Sequence, residues 1–171
     1  MGLKVRRITT LALLSAVALT IFMIEAQIPA LVPIPGVKLG LANIVTVFTV
    51  FHFRGRDGAL VLSTRVFLGA IFAGNFSTIL YSAAGGLLAI TITILSKRVL
   101  TKKQLWVAGV LGSIAHCIGQ MAVAVLVSRT VSLLIYLPVL ILCGIVTGLF
   151  TGLCAQFLVI RGEKLWKTGS E

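Results

Sequence analysis

VPIPGVKLGLANIVTVFTVFHFRGRD, residues 32–57, sets two prolines, two glycines and one lysine at the mouth of an apolar run that two arginines close. Proline fixes φ and glycine permits turns that other residues resist, so the opening is a short, shaped loop. The run behind it, from Leu39 to Phe53, carries no Lys, Arg, Asp or Glu. A shaped loop, an apolar run and a basic stop together read as a helix hung between the two faces of a membrane. Lys38 is the anomaly, a cation at the mouth of this run.

The same alternation recurs along the chain. Of 171 residues, 58% are hydrophobic and 11% charged, against about 25% charged in an ordinary soluble domain. This is the composition of a membrane protein. Long apolar runs separated by short basic or Pro/Gly punctuation predict one integral membrane domain over 1–171 with no separate soluble part. The net charge of +11 could suggest nucleic acid, but the basic residues are parcelled between apolar runs instead of sharing one solvated face, and no nucleic-acid role is expected. Cys117, Cys143 and Cys154 fall in apolar stretches without a C-x-x-C partner and read as small buried hydrophobes. No metal, cofactor or catalytic residue is expected. The basic start with the run to Met23 resembles a signal peptide, but the run is long for one and lacks an A-x-A site, which favours a retained first span.

The pattern predicts an all-α bundle of six transmembrane helices, at about 8–27, 39–53, 58–73, 77–96, 104–128 and 132–160. The second and third are short for the roughly 20 residues that a hydrocarbon core asks for. Cytoplasmic loops retain Lys and Arg. With both termini cytoplasmic, that side collects Lys4, Arg6, Arg7, Arg54, Arg56, Lys97, Arg98, Lys102, Lys103, Arg161, Lys164 and Lys167. The outer side gets Lys38 and Arg129, and Arg65 remains within a span. Lys38 thus belongs to the first external loop, which reads either as a lid over a cavity or as a connector.

Ionisable groups inside a membrane are costly, by about 2.5–3.5 kcal/mol for a centred Arg or Lys on insertion scales, so each raises a question of function. Arg65 lies seven residues past Gly58, about 10 Å deep at 1.5 Å per residue. Glu25, near the outer end of the first span, is the one acid placed to meet Lys38, Arg65 or a ligand. His116 and Gln120, four apart, share one stripe of the fifth span. Asn43 and Asn75 lie toward the outer face, and Tyr81, Arg129 and Tyr136 join them by depth. Polar groups drawn from most of the helices and biased to one side are what a substrate pocket requires; each alone also reads as a structural contact or a snorkelling side chain. Gly144, Gly148 and Gly152 form a smooth stripe suited to helix packing within the chain. Ala12 and Ala16, with Ser15 and Ala18 nearby, form a second small-residue strip, open to a partner subunit or to a neighbouring helix.

Four stretches carry a family resemblance: "PIPGVKLGLANIVTVFTVFHF" (33–53), "STRVFLGAIFAGNFSTILYSAAGGLLA" (63–89), "GSIAHCIGQMAVA" (112–124) and "IYLPVLILCGIVTGLFTG" (135–152). They resemble the Gx transporter family, whose members are often labelled heptaprenyl diphosphate synthase component I, over roughly residues 8–160. That family looks related to the substrate-binding S components of energy-coupling factor transporters. The resemblance implies a six-helix fold, a ligand site near the outer face under the first external loop, and an alanine-spaced strip, here Ala12 and Ala16, that docks a coupling subunit. By the same resemblance Lys38, Asn43, Arg65, Asn75, His116 and Gln120 are candidate ligand contacts, and Glu25 joins them on its placement in the first span alone.

These readings converge on a non-enzymatic cell-membrane subunit that captures a small organic molecule. The excess of Lys38 and Arg65 over Glu25 favours an anionic or amphoteric ligand. No G-x-x-x-x-G-K-[ST] motif is present, so ATP-driven work would fall to partner ATPases and a coupling subunit. Prenyl diphosphate synthases hold magnesium with aspartate clusters, whereas this chain has one aspartate, Asp57, beside Arg56. The synthase label is therefore expected to mean an accessory role, and the rival reading is a non-catalytic membrane subunit of isoprenoid or quinone metabolism or of a redox assembly. A stand-alone channel or carrier is the third.

Overall fold

The structure, a computed structural model, describes residues 2–28, 38–74 and 77–168. The candidate contact Asn75 lies outside the described residues, as do Pro33, Pro35 and Gly36 of the first loop. Among the described residues all regular structure is helical: α1 (Gly2–Glu25), α2 (Asn43–His52), α3 (Gly55–Ala73), α4 (Ser77–Val99), α5 (Leu105–Ser128) and α6 (Leu137–Thr168). Short 3-10 turns at Lys102–Gln104 and Val131–Tyr136 lead into α5 and α6.

Six α-helices are therefore present among the described residues, as expected, and four of them meet both length and apolarity for a membrane span. Val5–Glu25, Ile79–Val99, Lys102–Ser128 and Val131–Gly162 are long and apolar enough to cross a membrane. Large apolar side chains such as Leu13, Phe67, Leu87, Leu126, Val146 and Phe157 stand exposed along the helices, as lipid-facing residues of a membrane protein do. α3 has 19 residues, about 28 Å, but carries Arg56, Asp57 and Arg65. α2 differs most from expectation. Instead of a span over 39–53 it is a helix of 10 residues, about 15 Å long, half of a hydrocarbon core about 30 Å thick. Residues 38–40 are non-helical, and Gly40 turns the chain with φ +81°, a left-handed conformation that glycine adopts without a Cβ penalty.

This short helix is the hub of the bundle. Seven of its ten residues are buried, and it contacts every other α-helix. Val47, Val50 and Phe51 join Leu62, Val66, Ile90, Leu105, Ala155 and Val159, from four surrounding helices, in one apolar core. Its C-terminal end is held by Lys97, whose ammonium donates to the carbonyls of Val50 (2.6 Å) and Phe53 (3.0 Å); a cation at a helix C-terminus meets both orphan carbonyls and the negative end of the dipole. The Arg54 N–H then donates to Asp57 Oδ2, and Arg7 of α1 reaches Asp57 Oδ1 at 2.6 Å. The same end carries the last turns of α6, where Gly162 faces the His52 ring. The start of α1 and the end of α6 therefore lie at one end of the bundle, together with the segments that hold the twelve clustered Lys and Arg positions. Lys38 and Arg129 belong to the opposite end.

The glycine stripe of α6 packs within the chain, as its spacing suggests. A Cβ on Gly148 would lie 2.7 Å from Val110 Cα, and one on Gly152 would lie 2.6 Å from Trp106 Cα. Gly119 lets α5 meet α4 just as closely, 2.8 Å from Gly85 Cα. α4, α5 and α6 thus form a backbone-to-backbone slab of the kind small residues make possible. The α1 strip is different. Ser15 and Ala18 are buried, while Ala12 and Ala16 are exposed.

Candidate functional site

α1 turns Leu11, Ser15, Ala18, Phe22 and Glu25 inward, a 4-3-4-3 spacing that keeps one face of a helix on its neighbours. The last two of these reach the end of the bundle opposite the termini. There Phe22 and Glu25 meet Arg65 of α3, Ser82 of α4, His116 and Gln120 of α5, and the Lys38–Gly40 segment around a common hollow. The cavity is tight, about 10 Å³, room for a single water-sized group. Five of the seven expected contacts line it: Glu25, Lys38, Arg65, His116 and Gln120. Asn43 sits beside it, its amide nitrogen 2.9 Å from where a Gly40 Cβ would stand.

The roof is the segment 38–40, tied to α1 and α5. The Lys38 N–H donates to Gln120 Oε1 (3.2 Å) on α5, and the Gly40 N–H donates to Glu25 Oε1 (2.5 Å) on α1. The Thr147 hydroxyl of α6, which donates to the Cys143 carbonyl of its own helix at 2.9 Å, lies 3.5 Å from the Leu39 carbonyl. The Lys38 ammonium rests over the Phe22 ring, 3.6 Å from its centroid, an attraction worth about 0.5–2 kcal/mol as water is removed. Burial holds that ammonium below the ordinary lysine range; Glu25 opposes the effect and Arg65 adds to it.

Glu25 thus serves the loop. Of the pairings left open by the sequence, neither Glu25 with Lys38 nor Glu25 with Arg65 closes to an ion pair as Arg7 with Asp57 does. Arg65 is 3% exposed and its Nε has no hydrogen-bond partner. His116 is sandwiched. A Cβ on Gly40 would lie 3.0 Å from its Cδ2, and one on Gly85 would lie 2.8 Å from its Nδ1. The ring therefore fits only because both flanking residues are glycine, and its Nδ1 makes no hydrogen bond of good geometry. Both amide atoms of the buried Asn43 are unpartnered as well. Buried polar atoms are ordinarily satisfied, and here several orphans gather at one spot.

Some expectations are corrected. Tyr81 packs with Cys117, Met121, Ala124 and Leu140 in an apolar cluster that Tyr136 covers, away from the hollow. Arg129 is the exposed cap of α5 with φ 51°. Conversely, Phe22 and Ser82 line the hollow without having been singled out. Helical spacing identifies Phe22, three residues before Glu25 on the same face; Ser82 carries no comparable signal. Among the described residues no group of three His, Cys, Asp or Glu side chains is placed to hold a metal.

No curated protein and no solved structure matches the chain. The model of a family described as heptaprenyl diphosphate synthase component I matches residues 14–158, which include every residue of the hollow. The chain is a membrane protein that belongs to the heptaprenyl diphosphate synthase component I family.

Proposed function

We propose that the chain is an S-component-like, substrate-binding subunit for uptake of a small organic anion. It would work in the cell membrane with both termini cytoplasmic, alongside a coupling subunit and ATPases. The observation that carries the reading is the convergence of Lys38, Arg65, Glu25, His116 and Gln120 on one hollow at the end of the bundle away from the basic loops. The positive-inside rule makes that end the outer one. Charged and amide side chains are expensive at this depth unless they face one another or a ligand, and here they meet at a roof tied by single hydrogen bonds. The exposed Ala12 and Ala16 support docking of a coupling subunit on α1, where small residues would let a second backbone approach. Loaded, the bundle would reorient and present its pocket inward.

The test is uptake in cells carrying the chain with its coupling partners. The variants Lys38→Gln and Arg65→Gln are expected to cut uptake at least tenfold while the protein still inserts and still co-purifies with those partners. Unchanged uptake in both would remove the reading's support.

The family's description favours one alternative, a non-catalytic membrane subunit beside a soluble prenyl diphosphate synthase. Asp57 supports the non-catalytic part, since it is committed to Arg7 and to the start of α3. Co-purification separates the two readings: ATPases and a coupling subunit favour transport, a prenyl synthase the alternative.

A further inference from the structure

We infer that the hollow takes a molecule presenting a single negative charge on a planar, carboxylate-type group, and that it rejects polyanions such as a diphosphate. The inference rests on the small-molecule reading above and gives it a ligand class. Charge buried in the hollow must be balanced there. The chain has four acidic residues: Glu25, Asp57, Glu163 and Glu171. Asp57 is paired with Arg7 at the far end, and Glu163 and Glu171 close the C-terminal segment. Residues 29–37 and 75–76 contain no ionisable side chain, so no conformation of those segments adds charge to the site. Two cations, Lys38 and Arg65, therefore face one acid, and with a neutral His116 the hollow carries an excess of +1.

Glu25 attracts Arg65 across the hollow without closing to an ion pair. Its carboxylate takes the Gly40 N–H. Arg65 is left with an unpartnered Nε at 3% exposure, lining the cavity. A buried cation without a close counter-ion is the costliest arrangement in a low-dielectric site. The planar guanidinium fork matches carboxylates and phosphates alike; the charge count separates them. A monoanion brings the site to neutrality. A diphosphate, with two or three charges, would leave a net negative site roofed by the Glu25 carboxylate.

The experiment is isothermal titration of the full chain in lipid nanodiscs at pH 7.5 and fixed ionic strength, with benzoate and inorganic pyrophosphate as probes. The wild type is expected to bind benzoate at least tenfold more tightly than pyrophosphate. Glu25→Gln keeps an acceptor for the Gly40 N–H while raising the excess to +2, and should shift that ratio at least tenfold toward pyrophosphate. Arg65→Gln should lose benzoate binding; if that variant does not fold, the two ratios carry the test. Preference of the wild type for pyrophosphate, or a ratio unmoved by Glu25→Gln, overturns the charge count and leaves the hollow standing as a site. Binding of neither probe to the wild type overturns the inference together with the reading it rests on.

Discussion

Replacing Gly40 by alanine should destabilise the bundle more than the same change at Gly74, and the difference measures how firmly the roof lies on His116. Both glycines have positive φ, +81° and +63°. A left-handed backbone costs an L-residue about 1–2 kcal/mol, and at Gly74, where an added Cβ would meet nothing within 4 Å, that strain is the whole effect. At Gly40 the Cβ would stand 2.9 Å from Asn43 Nδ2 and 3.0 Å from His116 Cδ2. Both neighbours are buried, and His116 cannot retreat because Gly85 backs its other edge. Overpacking of this kind adds about 1–3 kcal/mol, so Gly40→Ala should cost about 2–5 kcal/mol against about 1–2 kcal/mol for Gly74→Ala. The assay is denaturant unfolding of both variants in detergent micelles, followed by circular dichroism, with amide exchange at Lys38 as a local probe. Equal costs, with Lys38 exchange unchanged, would refute the placement of the loop against His116.

Three further outcomes are expected. Gly109→Ala should fall at the top of the about 1–3 kcal/mol overpacking range, because its Cβ would meet the Gly148 carbonyl and lie 2.5 Å from Gly152 Cα. Gly144→Ala, which meets the Cys117 side chain at 3.1 Å, should cost less, and thermal melts of the pair check the order. Lys97→Met removes the cap of α2 and should cost about 1–2 kcal/mol, between a surface ion contact and a buried charged hydrogen bond; faster amide exchange over 50–54 is the readout. Finally, anion affinity should fall as pH rises through the lowered titration range of Lys38, before the ordinary lysine value near ~10.4, and Lys38→Arg should flatten that slope. The folding term has the opposite sign. The unfolded chain keeps this proton to higher pH than the native one, so the contribution of Lys38 to stability rises with pH up to the ordinary range.

Much of this was legible in the sequence, for reasons that differ by residue. The positions of Lys and Arg anticipated which segments share an end, because topology follows charge and the charges are few. His116 and Gln120 were paired by helical spacing alone, and both line the hollow. Arg65 and Glu25 stood out because an ion in an apolar run has to be answered. What the sequence did not show is contact geometry. Helical periodicity cannot tell that Gly40 bends the chain at φ +81° and cuts the second helix to ten residues, since Leu39 to Phe53 is apolar on every face. Tyr81 and Arg129 were grouped with the site by depth, yet depth leaves azimuth open; one turns into an apolar cluster and the other caps a helix.

The brevity of α2 is what makes room for a site at all. A second helix of full length at the centre of the bundle would carry apolar side chains through both halves of the membrane and fill the place where α1, α3, α4 and α5 converge. At about 15 Å it fills only the half that Lys97 and the Arg7–Asp57 pair secure. Above its first turn the chain unwinds, and non-helical backbone at such depth persists only when protein satisfies it; Glu25 and Gln120 do so here. The side chains that satisfy this backbone come from α1 on one flank and from the glycine-packed α5 on the other. Lifting the 38–40 segment would therefore break bonds to both flanks at once and uncover Arg65 and His116 together, which couples opening of the roof to exposure of the groups that an anion would seek.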